Sequence, residues 1–288
     1  MRVGHSKWCG KSGEIGFDFI VQEVEGKGLG LFELRDISRC EKILTERPVV
    51  SVVEIAVVNP EIQLRKEPLS VRQAFFKLAP GTGTLQTTFD TNLVRINPAG
   101  GDSGIFINFS RANHSCLGNC EHEFLEDHGA MIMIASRDIK AGDEICFSYL
   151  DGAKAKDRKQ KLIDNWGFEC KCKACLDDSL SAKMELIDLL DARLFEEIKK
   201  GETAKCLKIG EQLMKLYDQL DASERFYCRT YFDLYQAAIQ KKEFYNLAVQ
   251  FIEKAYETSL AYYGYQHEAV RNNKALLANP SSHPNCRR

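Results

Sequence analysis

The sequence predicts an α+β chain, a β-rich domain followed by an all-α one. Three observations carry this. Short apolar runs broken by glycine turns fill residues 17–150. Three cysteines crowd into residues 170–175. Beyond them the apolar residues change from alternation to the three- and four-residue steps of helices. A run of short strands and glycine turns argues for a β-rich domain and against a doubly wound α/β sheet.

Phe17–Val24 alternates loosely and is rich in Phe, Ile and Val, a strand pattern. It runs into Gly26-Lys27-Gly28-Leu29-Gly30, which a regular strand would not choose, and extended character resumes at Leu31-Phe32. Ile43-Leu44 and Val49–Val53 predict further strands around Pro48. Residues 60–80 predict helix in part, and residues 81–105, with five glycines and Pro98, predict long loops. Ala130–Ala135, bounded by Gly129 and Ser136, predicts a buried strand, and Ile145–Leu150 predicts another. An internal echo links them: Arg35-Asp36-Ile37 precedes Ile43 by six residues, and Arg137-Asp138-Ile139 precedes Ile145 by six. Both copies predict a polar turn joining two strands.

After Cys175, Met184, Ile187, Leu190, Leu194 and Ile198 keep helical spacing, as do Cys206, Ile209, Leu213, Leu216 and Leu220. Gly201 divides the two stretches and Thr203 is placed to cap the second. Tyr227, Tyr231, Leu234 and Ala238 predict a third helix after Ser223; Phe244, Leu247, Phe251, Ala255 and Tyr262 predict a fourth, stopped near Gly264. Paired helices of this length are similar to tetratricopeptide hairpins. Asn279–Arg288 is polar and predicted to fray.

The 288 residues suffice for one large domain or two ordinary ones. An apolar share of 44% and a charged share of 28% are those of a globular protein. The net charge of −2 gives no global electrostatic attraction to nucleic acid. The short basic patch Arg158, Lys159 and Lys161 reads as a solvated helix face. Met1–Gly10 holds no apolar run of a secretory signal, and no apolar stretch reaches the roughly eighteen residues of a membrane span. A cytoplasmic or nuclear protein is expected, and in that reducing setting eleven cysteines point to metal ligation or buried thiols.

Cys170-x-Cys172-x-x-Cys175 is the firmest local signal for chemistry. Thiolates at this spacing converge on one tetrahedral ion, and Zn²⁺ is the usual choice for soft sulfur ligands. The competing reading is three surface thiols in a loop, but exposed free cysteines are reactive and rarely cluster so tightly. A structural site needs a fourth ligand, for which Cys9, Cys116 and Cys120 are candidates. The glycine-rich segment at 26–30 alone reads as a hairpin turn; it neither opens a helix nor carries a phosphate-loop lysine and hydroxyl. His114 beside Ser115 forms no hydrolase triad by adjacency, and Tyr149 alone would be a strand tyrosine.

Their order changes the reading. A glycine loop is followed by Asn113-His114-Ser115-Cys116, then by Gly142-Asp143-Glu144-Ile145-Cys146-Phe147-Ser148-Tyr149, then by Trp166 to Cys175. This succession resembles the SET-domain protein lysine methyltransferases with a post-SET zinc segment, most closely the SET-and-MYND branch and related fungal SET proteins. The likeness covers residues 17–176 and is most specific over 108–176. It implies a β-rich SET fold with a post-SET zinc segment, followed by an all-α helical-hairpin domain. The implied divisions are an N-terminal segment at 1–16, a SET domain at 17–150 with an insert around 55–105, a post-SET segment at 151–178 and a helical domain at 179–288.

The resemblance implies S-adenosylmethionine as cofactor and Zn²⁺ as structural metal. Lys27, Gly28 and Leu29 would lie along the methionine part of the cofactor, Asn113 and His114 would hydrogen-bond it, and Phe168 would pack on its adenine. Trp166 stands where the family places a tyrosine and would wall the lysine channel. Tyr149 would be the catalytic residue, orienting the amine, and Cys116 would join Cys170, Cys172 and Cys175 on the metal. The partner would be a protein presenting a lysine, a histone tail among the candidates, with no direct nucleic-acid or membrane contact and a monomeric state. Gly118 replaces the family's usual proline before Asn119, which would loosen a turn. Arg39-Cys40-Glu41 lacks an expected glycine, and no cysteine between Cys40 and Cys116 supplies a MYND finger. The alternative is a catalytically degenerate SET scaffold binding proteins through its helices.

Overall fold

The computed structural model describes residues 19–52, 60–79, 84–96, 101–150 and 157–286. Cys9, Phe17, Val53 and the predicted N-terminal segment lie outside them. The described residues form two compact units. One comprises those up to Tyr149 together with Lys161–Cys170, and the other comprises those of Leu150–Gln160 and from Lys171 onward.

The first unit holds three small sheets. β1 (Phe19–Val24) and β2 (Gly28–Glu33) form an antiparallel hairpin with Val24 opposite Gly28. The strand therefore includes Gly28, Leu29 and Gly30, contrary to the expectation of an irregular loop. Only Glu25-Gly26-Lys27 turn the chain, with φ of 73° at Gly26 and 77° at Gly28. β10 (Glu144–Phe147) pairs antiparallel with β2 and parallel with β7 (Asn113–His114), giving the order β1-β2-β10-β7.

The second sheet sets β9 (Ala130–Ala135) between β3 (Lys42–Glu46) and β8 (Cys120–Leu125). All six residues of β9 are buried, as its unbroken apolar run requires. Burial of its Met and Ile side chains stabilises the unit by about 1.5–3 kcal/mol each. Met131, Met133 and Ala135 of β9 share one core with Leu31, Leu44, Phe106, Phe109 and Ile145.

The third sheet has the order β4-β6-β5, from β4 (Val50–Val52), β5 (Val94–Arg95) and β6 (Ser103–Ile105). Near it lie α1 (Pro60–Lys66), α2 (Leu69–Phe75) and α3 (Leu85–Asn92), whose residues Leu64, Phe75 and Phe89 share a core with Val50 and Ile105. The expectation of long loops over 81–105 fails at α3. The Thr84 side chain caps it by accepting from Thr87 N at 3.2 Å, a start signal hidden among glycines. β8 was likewise unexpected, because its alternation is built from charged residues and His122.

The internal echo is a pair of turns that bind each other. Ile37 and Ile139 exchange backbone hydrogen bonds at 2.9 Å each way. Asp36 accepts from Ala141 N at 3.0 Å, and Asp138 accepts from Arg39 N at 2.9 Å. Within each turn an acidic side chain closes the loop: Glu41 accepts from Ser38 N, and Asp143 accepts from Lys140 N, both at 3.0 Å. Gly142 (φ 89°) and Cys40 (φ 65°) occupy the same left-handed place, so the missing glycine leaves a strained cysteine, not a different turn.

In the second unit α6 (Asp178–Lys200) starts at the Asp177 cap, which accepts from Ser179 N and Leu180 N, and ends at left-handed Gly201. α7 (Thr203–Leu220), α8 (Glu224–Ala238) and α9 (Tyr245–Tyr263) follow. Leu194, Leu213, Tyr217 and Leu234 fill one core, and Tyr235, Ala248, Ile252 and Ala255 fill another. α8 begins after Ser223 as expected, and the Ser223 side chain caps it, accepting from Arg225 N. Thr203 does not cap α7: it lies inside the helix, buried, and its hydroxyl donates to Ala237 O at 2.9 Å. α10 (Glu268–Ala278), started by the His267 side chain, was unexpected. Arg158, read as part of a solvated face of α4 (Arg158–Trp166), is buried. Among the described residues no helix is long and apolar enough to cross a membrane.

Gly142→Ala meets no neighbouring atom, so its effect isolates the cost of the left-handed backbone, about 1 kcal/mol destabilising. Cys40→Gly should relieve the same strain and stabilise by up to ~1 kcal/mol. Urea denaturation midpoints of both variants check this; a stabilising Gly142→Ala would contradict it.

Candidate active site

The site is assembled on β10. Its Cys146 lies opposite Asn113 and its Phe147 opposite His114. Beyond β7 the chain stays on β10: Ser115 N donates to Phe147 O at 3.0 Å and Asn119 N to Cys146 O at 2.9 Å. The Asn119 amide completes the pairing, donating to Glu144 O and accepting from Cys146 N, each at 2.9 Å. Gly118 is not a loosened turn. A Cβ there would stand 2.5 Å from Cys146 O and 2.7 Å from Phe147 Cα, so backbone runs against backbone and only glycine fits.

The segment leading into Asn113 is held by a half-buried carboxyl and a buried guanidinium. The Glu46 carboxylate accepts from Asn108 N at 3.0 Å and Phe109 N at 2.9 Å, fixing the 3₁₀ turn Phe109–Arg111. Burial pushes its carboxyl up to about 7 against those donors. Arg111 donates to Lys77 O at 2.7 Å and Ala74 O at 3.3 Å, at the C-terminal end of α2, where carbonyls favour a cation. Burial lowers the Arg111 pKa.

At the glycine hairpin, Asn113 Nδ2 donates to Leu29 O at 3.3 Å and to Glu144 Oε1 at 2.7 Å. The other Glu144 oxygen holds Lys27 Nζ at 2.6 Å. Burial pulls the Lys27 pKa down, but the Glu144 bond and nearby negative groups outweigh it and raise it. Gly30 makes this possible: a Cβ would come within 2.6 Å of Val24 and 3.0 Å of Glu144 Oε1.

Tyr149 follows β10. Its hydroxyl donates to Ala112 O at 2.8 Å, and its backbone N–H donates to His114 Nδ1 at 3.0 Å. Burial pushes its phenol pKa well up. Its ring is 5.0 Å from Phe147, 5.2 Å from His114 and 5.3 Å from Trp166. Trp166 Nε1 donates to Thr91 O at 3.3 Å, and Phe168 lies 6.0 Å from His114.

The sulfurs of Cys116, Cys170, Cys172 and Cys175 all lie within 4.8 Å of one another. A tetrahedral metal with bonds of about 2.3 Å sets sulfurs roughly 3.8 Å apart, so four thiolates this close can hold one. Cys120, the other described candidate for the fourth ligand, is instead buried on β8 with its thiol donating to Cys146 O. The structure thus brings Asn113, His114, Tyr149, Trp166, Phe168 and Cys116 into one neighbourhood, and Lys27–Leu29 join it through Glu144 and Asn113. Sequence reading missed Glu46, Arg111, Thr91 and Glu144; only Glu144, inside a recognised motif, carried a signal.

Residues 28–150 match the family model for the SET domain. The chain is 30% identical over 159 residues to the histone-lysine N-methyltransferase set5 of Schizosaccharomyces pombe, covering 54% of this chain and 49% of that one. It is 40% identical over 81 residues to the protein-lysine N-trimethyltransferase SMYD5 of Mus musculus, covering 27% of this chain and 20% of that one. A SET and MYND domain-containing protein of Dictyostelium discoideum is 41% identical over 78 residues, 27% of this chain and 22% of its own. The chain thus spans about half the length of the first of these relatives and about a fifth of the other two.

Proposed function

Because residues 28–150 carry a SET domain, we propose that the chain is an S-adenosylmethionine-dependent protein-lysine N-methyltransferase. The observation that carries this reading is Tyr149, held by its backbone on His114 and by its hydroxyl on Ala112 O, beside the strand that aligns Asn113 with the glycine hairpin. The relatives' names, histone-lysine and protein-lysine methyltransferase, support a protein substrate presenting a lysine. Histone tails are the first to try. We also propose the division into a SET domain at 17–150, a metal-binding segment at 151–178 and a helical domain from 179.

The cofactor supplies an electrophilic methyl carried on a sulfonium. The chain's residues do the rest. Both hydrogens of Asn113 Nδ2 are committed to Leu29 O and Glu144, which leaves Oδ1 to accept from a cofactor N–H. Gly28 and Leu29 offer backbone alongside, His114 offers backbone and Phe168 a ring face to the adenine. Tyr149 gives its proton to Ala112 O, so its lone pairs are left to accept from the substrate amine. Burial keeps it a neutral phenol. It positions the amine and does not deprotonate it. Phe147 and Trp166 exclude water beside it, which favours the uncharged lysine.

The four cysteines would hold a zinc ion in a structural role, since thiolates would supply all four of its ligands. Metal analysis should find one zinc per chain at this site, and Cys172→Ser should lose it and weaken cofactor binding with it. Full zinc content in that variant would refute the ligand set.

Incubation with labelled S-adenosylmethionine and a panel of histones and cell extracts should label lysines. Tyr149→Phe keeps the ring and should lower the rate on the order of 10²–10³-fold, with a melting temperature close to that of the unaltered protein. Free lysine titrates near 10.4, so the rate should rise about tenfold per pH unit between roughly pH 7 and 9. No inflection from Tyr149 should appear, because its proton is held more tightly than usual. Normal turnover by a folded Tyr149→Phe protein would sink the assignment.

A further inference from the structure

The His114 side chain is engaged at both ring nitrogens. Its Nδ1 accepts from Tyr149 N at 3.0 Å, and its Nε2 lies 3.3 Å from Cys116 Sγ. A backbone N–H can only donate, so Nδ1 carries no proton and the neutral ring carries its hydrogen on Nε2. That hydrogen points at Cys116 Sγ. His114 is buried, and its ring also meets those of Tyr149 and Phe168 at 5.2 and 6.0 Å. The imidazole is therefore a rigid spacer with one end on a metal-binding sulfur and the other on the backbone of the proposed catalytic tyrosine.

We propose that the His114 side chain is a positioning residue, a strut by which the four-cysteine site sets where Tyr149 stands. This rests on the methyltransferase reading, and adds to it a task for the imidazole separate from the cofactor contact of the His114 backbone. A thiolate on a metal is a strong acceptor, and the Nε2–H bond to Cys116 fixes the ring as outer hydrogen bonds fix metal ligands generally. The ring then fixes Tyr149 N. The Tyr149 hydroxyl is anchored independently by Ala112 O, so side chain and backbone are each held by one bond. Loss of the backbone bond lets the residue shift, and a misplacement of about 1 Å at a reacting centre can cost 10²-fold in rate.

Substitutions that keep one end at a time separate the two contacts. The asparagine oxygen falls near the place of Nδ1, and the glutamine nitrogen near that of Nε2. His114→Gln should keep zinc against a chelator but lose about 10- to 100-fold in kcat, with the KM for cofactor little changed. His114→Asn keeps the Tyr149 contact without the Cys116 anchor, so its turnover should fall between that of the unaltered protein and that of His114→Ala, while its zinc affinity falls about 10- to 100-fold. Full turnover would need both ring nitrogens and metal retention only Nε2. A readout without turnover is the backbone amide resonance of Tyr149, which should move most in His114→Gln and by less in His114→Asn. If the unaltered protein methylates nothing, the methyltransferase reading fails while the resonance and zinc measurements still test the strut. Unaltered turnover and an unmoved Tyr149 resonance in His114→Gln would overturn the strut. Unfolding of all three variants would also overturn it, by making His114 a core residue.

Discussion

The parallel pairing of Asn113–His114 with Cys146–Phe147 is only two residues long, and the site depends on it. A parallel pair cannot be closed by a tight turn, so the chain between them must travel away and return. It does so as β8 and β9, whose apolar run is buried beside β3. The pairing is short but reinforced. Ser115, Gly118 and Asn119 continue along β10, and the Asn119 amide stands in for a further strand residue. Backbone hydrogen bonds contribute about 0.5–1.5 kcal/mol each, so the bonds that Ser115 and Asn119 make to β10 outweigh what two paired residues would supply. Alignment of β10 puts Glu144 beside Asn113 and Tyr149 beside His114.

The site's electrostatics follow from how its charges are held. Glu46 and Arg111 bracket the turn before Asn113, and the partners seen for each are mainly backbone, amides for the carboxylate and carbonyls for the guanidinium. Backbone dipoles cannot rearrange as a flexible counter-ion would, so these charges set the turn rigidly. The ion pair of Lys27 and Glu144 stands at the hairpin, half exposed on the lysine side. Around Tyr149 the neighbours are aromatic. A neutral phenol among apolar rings suits a reaction in which an uncharged amine must approach a cation, because each feature disfavours an ammonium there.

Legibility in the sequence tracked how local each determinant is. The cysteine trio, the apolar run of β9, the helix start after Ser223 and the break at Gly201 are set by neighbours in the chain and were readable. The paired turns were visible as an echo, but their mutual binding was not, since Asp36 and Ala141 are 105 residues apart. Glu46, Arg111 and Thr91 act through partners far along the chain and lie in no recognised pattern. α3 was hidden because glycines on both sides outweighed one threonine cap. Gly118 was misread because its role is a close approach to Cys146 and Phe147, which a turn rule does not describe. The identity of Cys116 as the fourth thiol came from resemblance; spacing alone left Cys120 equally eligible.

The proposed cofactor site is built by the strands β2, β10 and β7. Calorimetric titration of the purified chain with S-adenosylmethionine tests it most directly, because it needs no knowledge of the substrate. Saturable binding at one site per chain, weakened by Asn113→Ala, is the predicted result. No heat of binding from a folded, metal-loaded protein would contradict it.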